Sequence, residues 1–340
     1  MSFRSDYLRD LAAVSPATSA ALALRLFRFQ AQYCGPYQEW LHRLGCEWQH
    51  VTRLEDIPFL PIEFFKTHLV QTYEPNVVWQ PREEFRSSGT TQQQRSRHFV
   101  RDPQLYRHNA RRIFEATYGP LRDWTFLALL PSYLEQGHSS LVAMVEDFVR
   151  ASAQPVGEAF FLHNHAALLT AIDEARRAAP QRRIMLIGVS YALLDLAQVF
   201  GGAPALRQLD VVLETGGMKG RRREMIREEL HAELQAAFGQ SAIHSEYGMT
   251  ELLSQAYSTG EGRFWAPPQL QVLLRDPSDP FSVDARRSAG AINVIDLANI
   301  DSCAFIETRD LARRHPDGSF EVLGRLDNSD IRGCNQMVGG

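Results

Sequence analysis

Three short apolar runs, each followed by a helical pattern, constrain this chain most. They are WTFLALL at 124–130, RIMLIGV at 183–189 and DVVL at 210–213. Each is bounded by polar or turn residues, such as Asp123 and Pro131, and is too short for a core helix, which makes it a buried strand. Helical spacing follows at 139–150, at 164–179 with Asn164 as cap, at 191–200 and, as a long charged helix, at 220–238. Strand–helix alternation of this kind predicts α/β layers around a largely parallel sheet.

The flanking segments have a different texture. Residues 15–44 read as helix interrupted at Gly35-Pro36, and 57–65 as extended or turn-like because Pro58 and Pro61 restrict the residues before them. A helix is expected at 102–118, with Asp102 as cap and Pro103 in its first position. From Ser258 onward, short strands at 263–265, 270–274, 291–295 and 304–307 alternate with Pro, Gly and Asp clusters, and Asp317-Gly318 marks a hairpin joining 309–314 to 320–323. The expected organisation is an α/β core over 1–257, a smaller β-rich subdomain of the same core over 258–324, and a hinge with a short tail over 325–340.

Bulk chemistry excludes several functions. A net charge of −4 gives no nucleic-acid footprint, and no apolar run approaches the length of a membrane span. The N-terminus has no basic region followed by an apolar run, so no secretory leader is expected. Cys34, Cys46, Cys303 and Cys334 are scattered without a CxxC pairing and read as reduced thiols of a cytoplasmic protein.

Five polar stretches carry the chemistry. FRSSGTTQQQRSR at 85–97 supplies hydroxyls from Ser87, Ser88, Thr90 and Thr91, a close backbone approach at Gly89, and charge from Arg95 and Arg97. Such a loop can wrap a polyphosphate, although a polar surface turn has the same composition. ETGGMKG at 214–220, with Gly216 and Gly217, follows a predicted strand on the side where open α/β sheets bind ligands. HSEYGMTE at 244–251 delivers Tyr247 to stack on a base, then Gly248, Thr250 for a phosphate and Glu251 for Mg²⁺. The remaining two are Thr308-Arg309-Asp310, whose carboxylate can hold ribose hydroxyls, and Gly324-Arg325-Leu326-Asp327.

In this order and spacing, SSGTT, GG, YGMTE, T-x-D and GR-x-D resemble the acyl-adenylate-forming (ANL) superfamily of acyl-CoA synthetases, luciferases and peptide-synthetase adenylation domains. More narrowly, IPFLPIEFFK (57–66), LLPSYLEQGHSSLV (129–142), ETGGMKGRRRE (214–224) and DIRGC (330–334) resemble the LuxE-type acyl-protein synthetases, and the similarity covers most of the chain. The resemblance implies ATP and Mg²⁺ as cofactors and a small-molecule carboxylic acid, such as a fatty acid, as substrate. It implies acyl-AMP formation followed by transfer to a thiol, with an acyl reductase or acyl-carrier protein as partner. Ser87, Ser88, Thr90, Thr91 and Arg95 would face the β- and γ-phosphates, and Gly216 and Gly217 the adenine and acyl pocket. Tyr247 and Gly248 would lie at the base, Thr250 at the α-phosphate, Glu251 on Mg²⁺, Asp310 on the ribose and Arg325 on ribose or phosphate.

Two features depart from the superfamily. Gln92 stands where the loop ordinarily continues with glycine, and the sequence stops thirteen residues after Asp327, so a full C-terminal domain with its lysine has no counterpart in it. The expected fold is therefore a large ANL-type N-terminal domain with the C-terminal domain reduced to a stub. Cys334, two residues from Arg332, is the candidate acyl acceptor, by resemblance to the C-terminal cysteine of LuxE-type enzymes. An acid–CoA or carrier-protein ligase of the phenylacetate–CoA-ligase branch, and a degenerate adenylate-binding scaffold, remain the alternatives.

Overall fold

The computed structural model describes residues 2–87, 94–132, 137–216 and 225–326. These form two compact units that are not consecutive in sequence. The first takes Met1–Tyr106, Thr250–Ser254 and Trp265–Gly340, and the second takes 107–249 and 255–264.

The second unit contains the three apolar runs. They become strands Trp124–Leu129, Arg183–Gly188 and Val211–Glu214, parallel to one another, with His244–Tyr247 continuing in parallel and Ala256–Ser258 antiparallel beyond it. Every residue of Trp124–Leu129 and of Val211–Glu214 is buried, as strands covered on both faces require. Helices Ser140–Ala151, His165–Ala178, Ser190–Phe200 and Arg227–Phe238 alternate with these strands. Ser139 and Asn164 cap two of the helices by accepting from the backbone N–H of Val142 and Ala167. Phe114 packs against Phe148 at 4.8 Å and Phe126 at 5.5 Å, forming the aromatic centre of this core.

The helix expected at 220–238 is shorter. It begins at Arg227, because Ile226 adopts an extended conformation (φ −67°, ψ 152°), and it ends at Gly239 in the left-handed region (φ 68°). Residues 217–224 lie outside the described residues.

In the first unit, strands Asp279–Val283, Leu270–Asp276, Ala289–Asp296, Phe305–Arg314 and Phe320–Arg325 form an antiparallel sheet in that order. Phe305–Arg314 is a single ten-residue strand where the sequence suggested two pieces. It also pairs in parallel with Leu60–Pro61, placing Pro61 of the 57–65 segment on the sheet. Gly318 (φ 90°) closes the hairpin expected at Asp317-Gly318. The expected 15–44 helix divides at Cys34 into Ser19–Tyr33 and Gly35–Arg43. Phe27 and Tyr37, from these two helices, pack on Phe305 at 5.5 and 6.0 Å. A separate hairpin, Glu83–Arg86 with Arg97–Val100, brackets the hydroxyl-rich loop.

Candidate active site

In the first unit the candidate residues converge on Glu251, which lies in the Thr250–Ser254 segment. The hairpin supplies one side. Ser87 Oγ accepts from the Ser96 backbone N–H at 3.0 Å, and the Ser87 N–H donates to the Ser96 carbonyl at 3.1 Å, which closes the base of the loop. The Ser96 side chain in turn favours the charged form of the Glu251 carboxyl. One register step along, His98 Nδ1 lies 2.9 Å from the Thr250 carbonyl oxygen. That contact requires Nδ1 to carry the proton. Burial, only partly offset by the contact with Thr250, holds the His98 pKa at about 4, so the ring is neutral near pH 7. Its buried Nε2 meets no hydrogen-bond partner among the described residues.

The opposite side comes from the turn after strand Ala289–Asp296. Asn299 Nδ2 donates to the Glu251 carbonyl at 2.8 Å. Asp296, fully buried, accepts from the backbone N–H of Leu253 (2.6 Å), Ser254 (3.0 Å) and Ala298 (3.0 Å) and from the Ser254 hydroxyl (2.6 Å). The segment carrying Glu251 is thus fixed on both sides before any ligand arrives. Glu251 itself is 4% exposed. Burial raises its pKa, while Ser96 and the charges of Arg325 and Lys66 pull it down. A carboxylate in that balance gains from a divalent cation, which favours its charged form.

Asp310 and Arg325 face each other across paired strands, with Arg325 Nε 3.5 Å from Asp310 Oδ1. Thr308 has a structural role. It is buried, donates to the Ile292 carbonyl at 2.9 Å and accepts from the Asp310 N–H at 3.2 Å, so it orients the Asp310 backbone.

A groove of about 570 Å³ in the same unit is lined by Lys66, His68, Arg86, Gln94, Arg95 and Arg97 among others. Burial raises the pKa of Glu84, but hydrogen bonds from Arg86 (3.0 Å) and Arg97 (2.6 Å) outweigh it and hold the carboxyl at about 2. Glu84 therefore keeps both guanidinium groups aligned along the groove. The groove's cationic lining suits a polyphosphate.

The second unit carries the other candidates. Tyr247 is 8% exposed and packs edge-on against Phe264 at 6.1 Å. Gly248 leaves room for a neighbour, since a Cβ there would stand 2.2 Å from Glu246 Oε1. Gly216 takes a positive φ of 48° and donates its N–H to Glu214 Oε2 at 2.8 Å, and Ser190 Oγ donates to the same oxygen at 3.1 Å. Burial opposes ionisation of Glu214, yet hydrogen bonds from His231 and Ser245 lower its pKa overall. Glu246 goes the other way, pushed up to about 8 by burial and then by the Glu214 charge.

Ser88, Gly89, Thr90, Thr91 and Gln92, together with Gly217, Asp327 and Cys334, lie outside the described residues. Sequence reasoning missed Lys66, Ser96, His98, Asp296 and Asn299. Ser96 and His98 share a strand-period spacing just beyond the loop, which is the one signal that could have found them. Among the described residues no cluster of three or more His, Cys, Asp or Glu side chains could hold a metal ion by itself. No described helix is long and apolar enough to cross a membrane.

No protein-family model matches the sequence, and no curated protein does. Solved structures with the same architecture do. An ATP-bound RpMatB–BxBclM chimera aligns with 71% of this chain and 47% of its own length, at 16% identity and a TM-score of 0.51. Apo MatB from Rhodopseudomonas palustris aligns with 72% of this chain and 48% of its own, at 17% identity and a TM-score of 0.50. A luciferase-like enzyme from the nonluminescent Zophobas morio mealworm aligns with 75% of this chain and 60% of its own, at 16% identity and a TM-score of 0.51. The chain spans about half the length of the first two. It has the mixed α/β fold of the ANL, adenylate-forming type.

Proposed function

We propose that the chain activates a carboxylic acid by adenylation and passes the acyl group to a thiol, in the manner of the LuxE-type acyl-protein synthetases it resembles. The observation that carries this reading is Glu251, a buried carboxyl whose charged form Ser96 favours and whose backbone Asn299 fixes, in a unit whose groove is basic.

The donor set fits Mg-ATP. Mg²⁺ prefers one or two protein carboxylates plus phosphate oxygens and water, so the one buried carboxyl of Glu251 suits it. Bound there, Mg²⁺ would supply charge neutralisation at the phosphates. Lys66, Arg95 and the hydroxyl loop would hold the β- and γ-phosphates, Thr250 would contact the α-phosphate, and Asp310 with Arg325 would hold the ribose. In the second unit Tyr247, Gly248, Gly216 and Gly217 would form the surface for the base and the acyl group.

The substrate carboxylate oxygen attacks the α-phosphorus in line, the bond to the bridging oxygen breaks, and pyrophosphate leaves as acyl-AMP forms. The chain's contribution is positioning and electrostatic stabilisation, with no protein nucleophile in this step. In the second step a thiolate attacks the acyl carbonyl and AMP leaves. Cys334 is the proposed acceptor, a fatty acid the proposed substrate, and an acyl reductase or carrier protein the proposed recipient.

Acid labelled with ¹⁸O in its carboxylate tests the first step, since adenylation moves one labelled oxygen into AMP. Unlabelled AMP, or ADP in place of AMP, overturns the reading. Neutral hydroxylamine tests the second step. Label from the acid should be bound to the protein, released by hydroxylamine, and absent from Cys334→Ser.

A further inference from the structure

Four buried polar side chains of the second unit meet beneath the Gly216 turn, and the proposed reaction uses none of them. Glu214 ends strand Val211–Glu214 and Ser190 begins helix Ser190–Phe200. His231 lies in helix Arg227–Phe238 and Ser245 in strand His244–Tyr247. All four are buried.

Their contacts converge on one carboxyl. Glu214 Oε2 accepts from the Gly216 N–H at 2.8 Å and from Ser190 Oγ at 3.1 Å. His231 Nε2 stands 3.6 Å from Glu214 Oε1 and 3.3 Å from Ser245 Oγ. The backbone follows the same pattern. Glu214 is paired in register with Gly188 on one neighbouring strand and with Ser245 on the other, and the Thr215 N–H donates to the Gly188 carbonyl at 3.0 Å. Three adjacent parallel strands are thus tied together around Glu214, on the side where open α/β sheets bind ligands.

Packing alone does not explain an acid at this position. Val211–Glu214 is buried throughout, and an apolar residue such as Leu213 would fill its last place without the cost of burying a carboxyl. What the carboxyl adds is an acceptor for Gly216, whose φ of 48° lies in the region that glycine adopts most readily. Among the described residues, nothing stands within 4 Å of where a Cβ on Gly216 would project, so the turn presents an open face.

We propose that Glu214 is a positioning residue, which sets the Gly216 turn so that its open face receives the base of ATP, while Ser190 and His231 set Glu214 in turn. This rests on the adenylation reading and adds to it a residue that touches neither acid nor nucleotide. Because the carboxyl acts through its hydrogen bonds, an amide of the same shape should largely replace it. The oxygen of Glu214→Gln can accept from Gly216 and Ser190, and its NH₂ can donate to the Ser245 hydroxyl, which is able to accept.

The test titrates the full chain calorimetrically with Mg-ATP and, separately, with inorganic tripolyphosphate. Glu214→Ala should weaken ATP binding about tenfold, the equivalent of one hydrogen bond to a charged group, and Glu214→Gln by about threefold or less. Tripolyphosphate, which has no base to place, should bind the wild type and both variants alike. The Gly216 amide should exchange faster in Glu214→Ala and stay protected in Glu214→Gln. Ser190→Ala removes one of the two hydrogen bonds at Oε2, so it should weaken ATP binding by less than Glu214→Ala, and it carries the test if Glu214→Ala does not fold. The proposal is overturned if Glu214→Ala, or Ser190→Ala in its place, binds ATP as the wild type does. It is also overturned if the variant loses ATP and tripolyphosphate equally, or if Glu214→Gln is as weak as Glu214→Ala. A wild type that binds ATP but supports no acid-dependent exchange counts against the adenylation reading alone, since the binding series is still read. A wild type that binds no ATP removes both.

Discussion

Asp296 offers the sharpest test of how the candidate site is built. Its side chain is fully buried and accepts four hydrogen bonds, from three backbone N–H groups and one hydroxyl. Asp296→Ala removes all four acceptor contacts. The Ser254 hydroxyl can rotate to another partner, but the N–H groups of Leu253, Ser254 and Ala298 cannot. At about 1–3 kcal/mol for each buried group left unpaired, the loss is on the order of 5 kcal/mol. Asp296→Asn is milder. With its remaining oxygen turned toward Leu253 and Ser254, the amide group meets the Ser254 hydroxyl, which can accept, and the Ala298 N–H, which cannot. One unpaired donor costs about 2 kcal/mol. Urea unfolding should give this order, wild type above Asn above Ala. Hydrogen exchange should place the earliest loss of protection at Leu253 and Ser254. An Asp296→Ala protein within about 1 kcal/mol of the wild type, with those two amides still protected, would refute the reasoning.

Other outcomes follow from the same contacts. Glu246, raised to about 8 from an ordinary 4.5, keeps in the folded state a proton that the unfolded chain releases, so its contribution is present below 4.5 and is lost as pH rises toward 8. Between pH 6.5 and 8 the wild type should lose about 2 kcal/mol that Glu246→Gln does not, as read from unfolding free energies across pH. His98 and His244, each held near 4, act in the opposite direction, because stability rises with pH from about 4 to 6.5 while the unfolded chain alone is protonated there. His98→Phe should flatten that limb of the stability–pH curve, and an unchanged slope would mean that His98 titrates normally. Lys66→Ala should raise the KM for ATP about tenfold with little change in kcat, consistent with loss of one phosphate contact, and an unaltered KM would remove Lys66 from the groove's role.

The second unit was legible from its sequence for a physical reason. Strands such as Trp124–Leu129 are buried along their whole length, so the apolar run and the strand are the same residues. The first unit hid more. Phe305–Arg314 carries Glu307, Arg309 and Asp310 in mid-strand, which breaks any apolar pattern, and the fold accommodates Glu307 by pairing it with the buried Arg275 at 3.0 Å. In the candidate site Glu251 was readable from YGMTE. Its supports were not, because Ser96, Asp296 and Asn299 reach the Thr250–Ser254 segment from distant parts of the chain. Nothing local distinguishes Asn299 from any other turn asparagine.

Carboxylate-dependent exchange of labelled pyrophosphate into ATP is the most direct measurement of the central claim, because it reports acyl-AMP formation without needing the acceptor. With Mg²⁺ and a panel of fatty and aromatic acids, the wild type should exchange only when an acid is present. Glu251→Gln, which keeps the shape but not the charge, should lower the rate by about 100-fold or more. Exchange that no acid supports, or that Glu251→Gln sustains at the wild-type rate, would contradict the account.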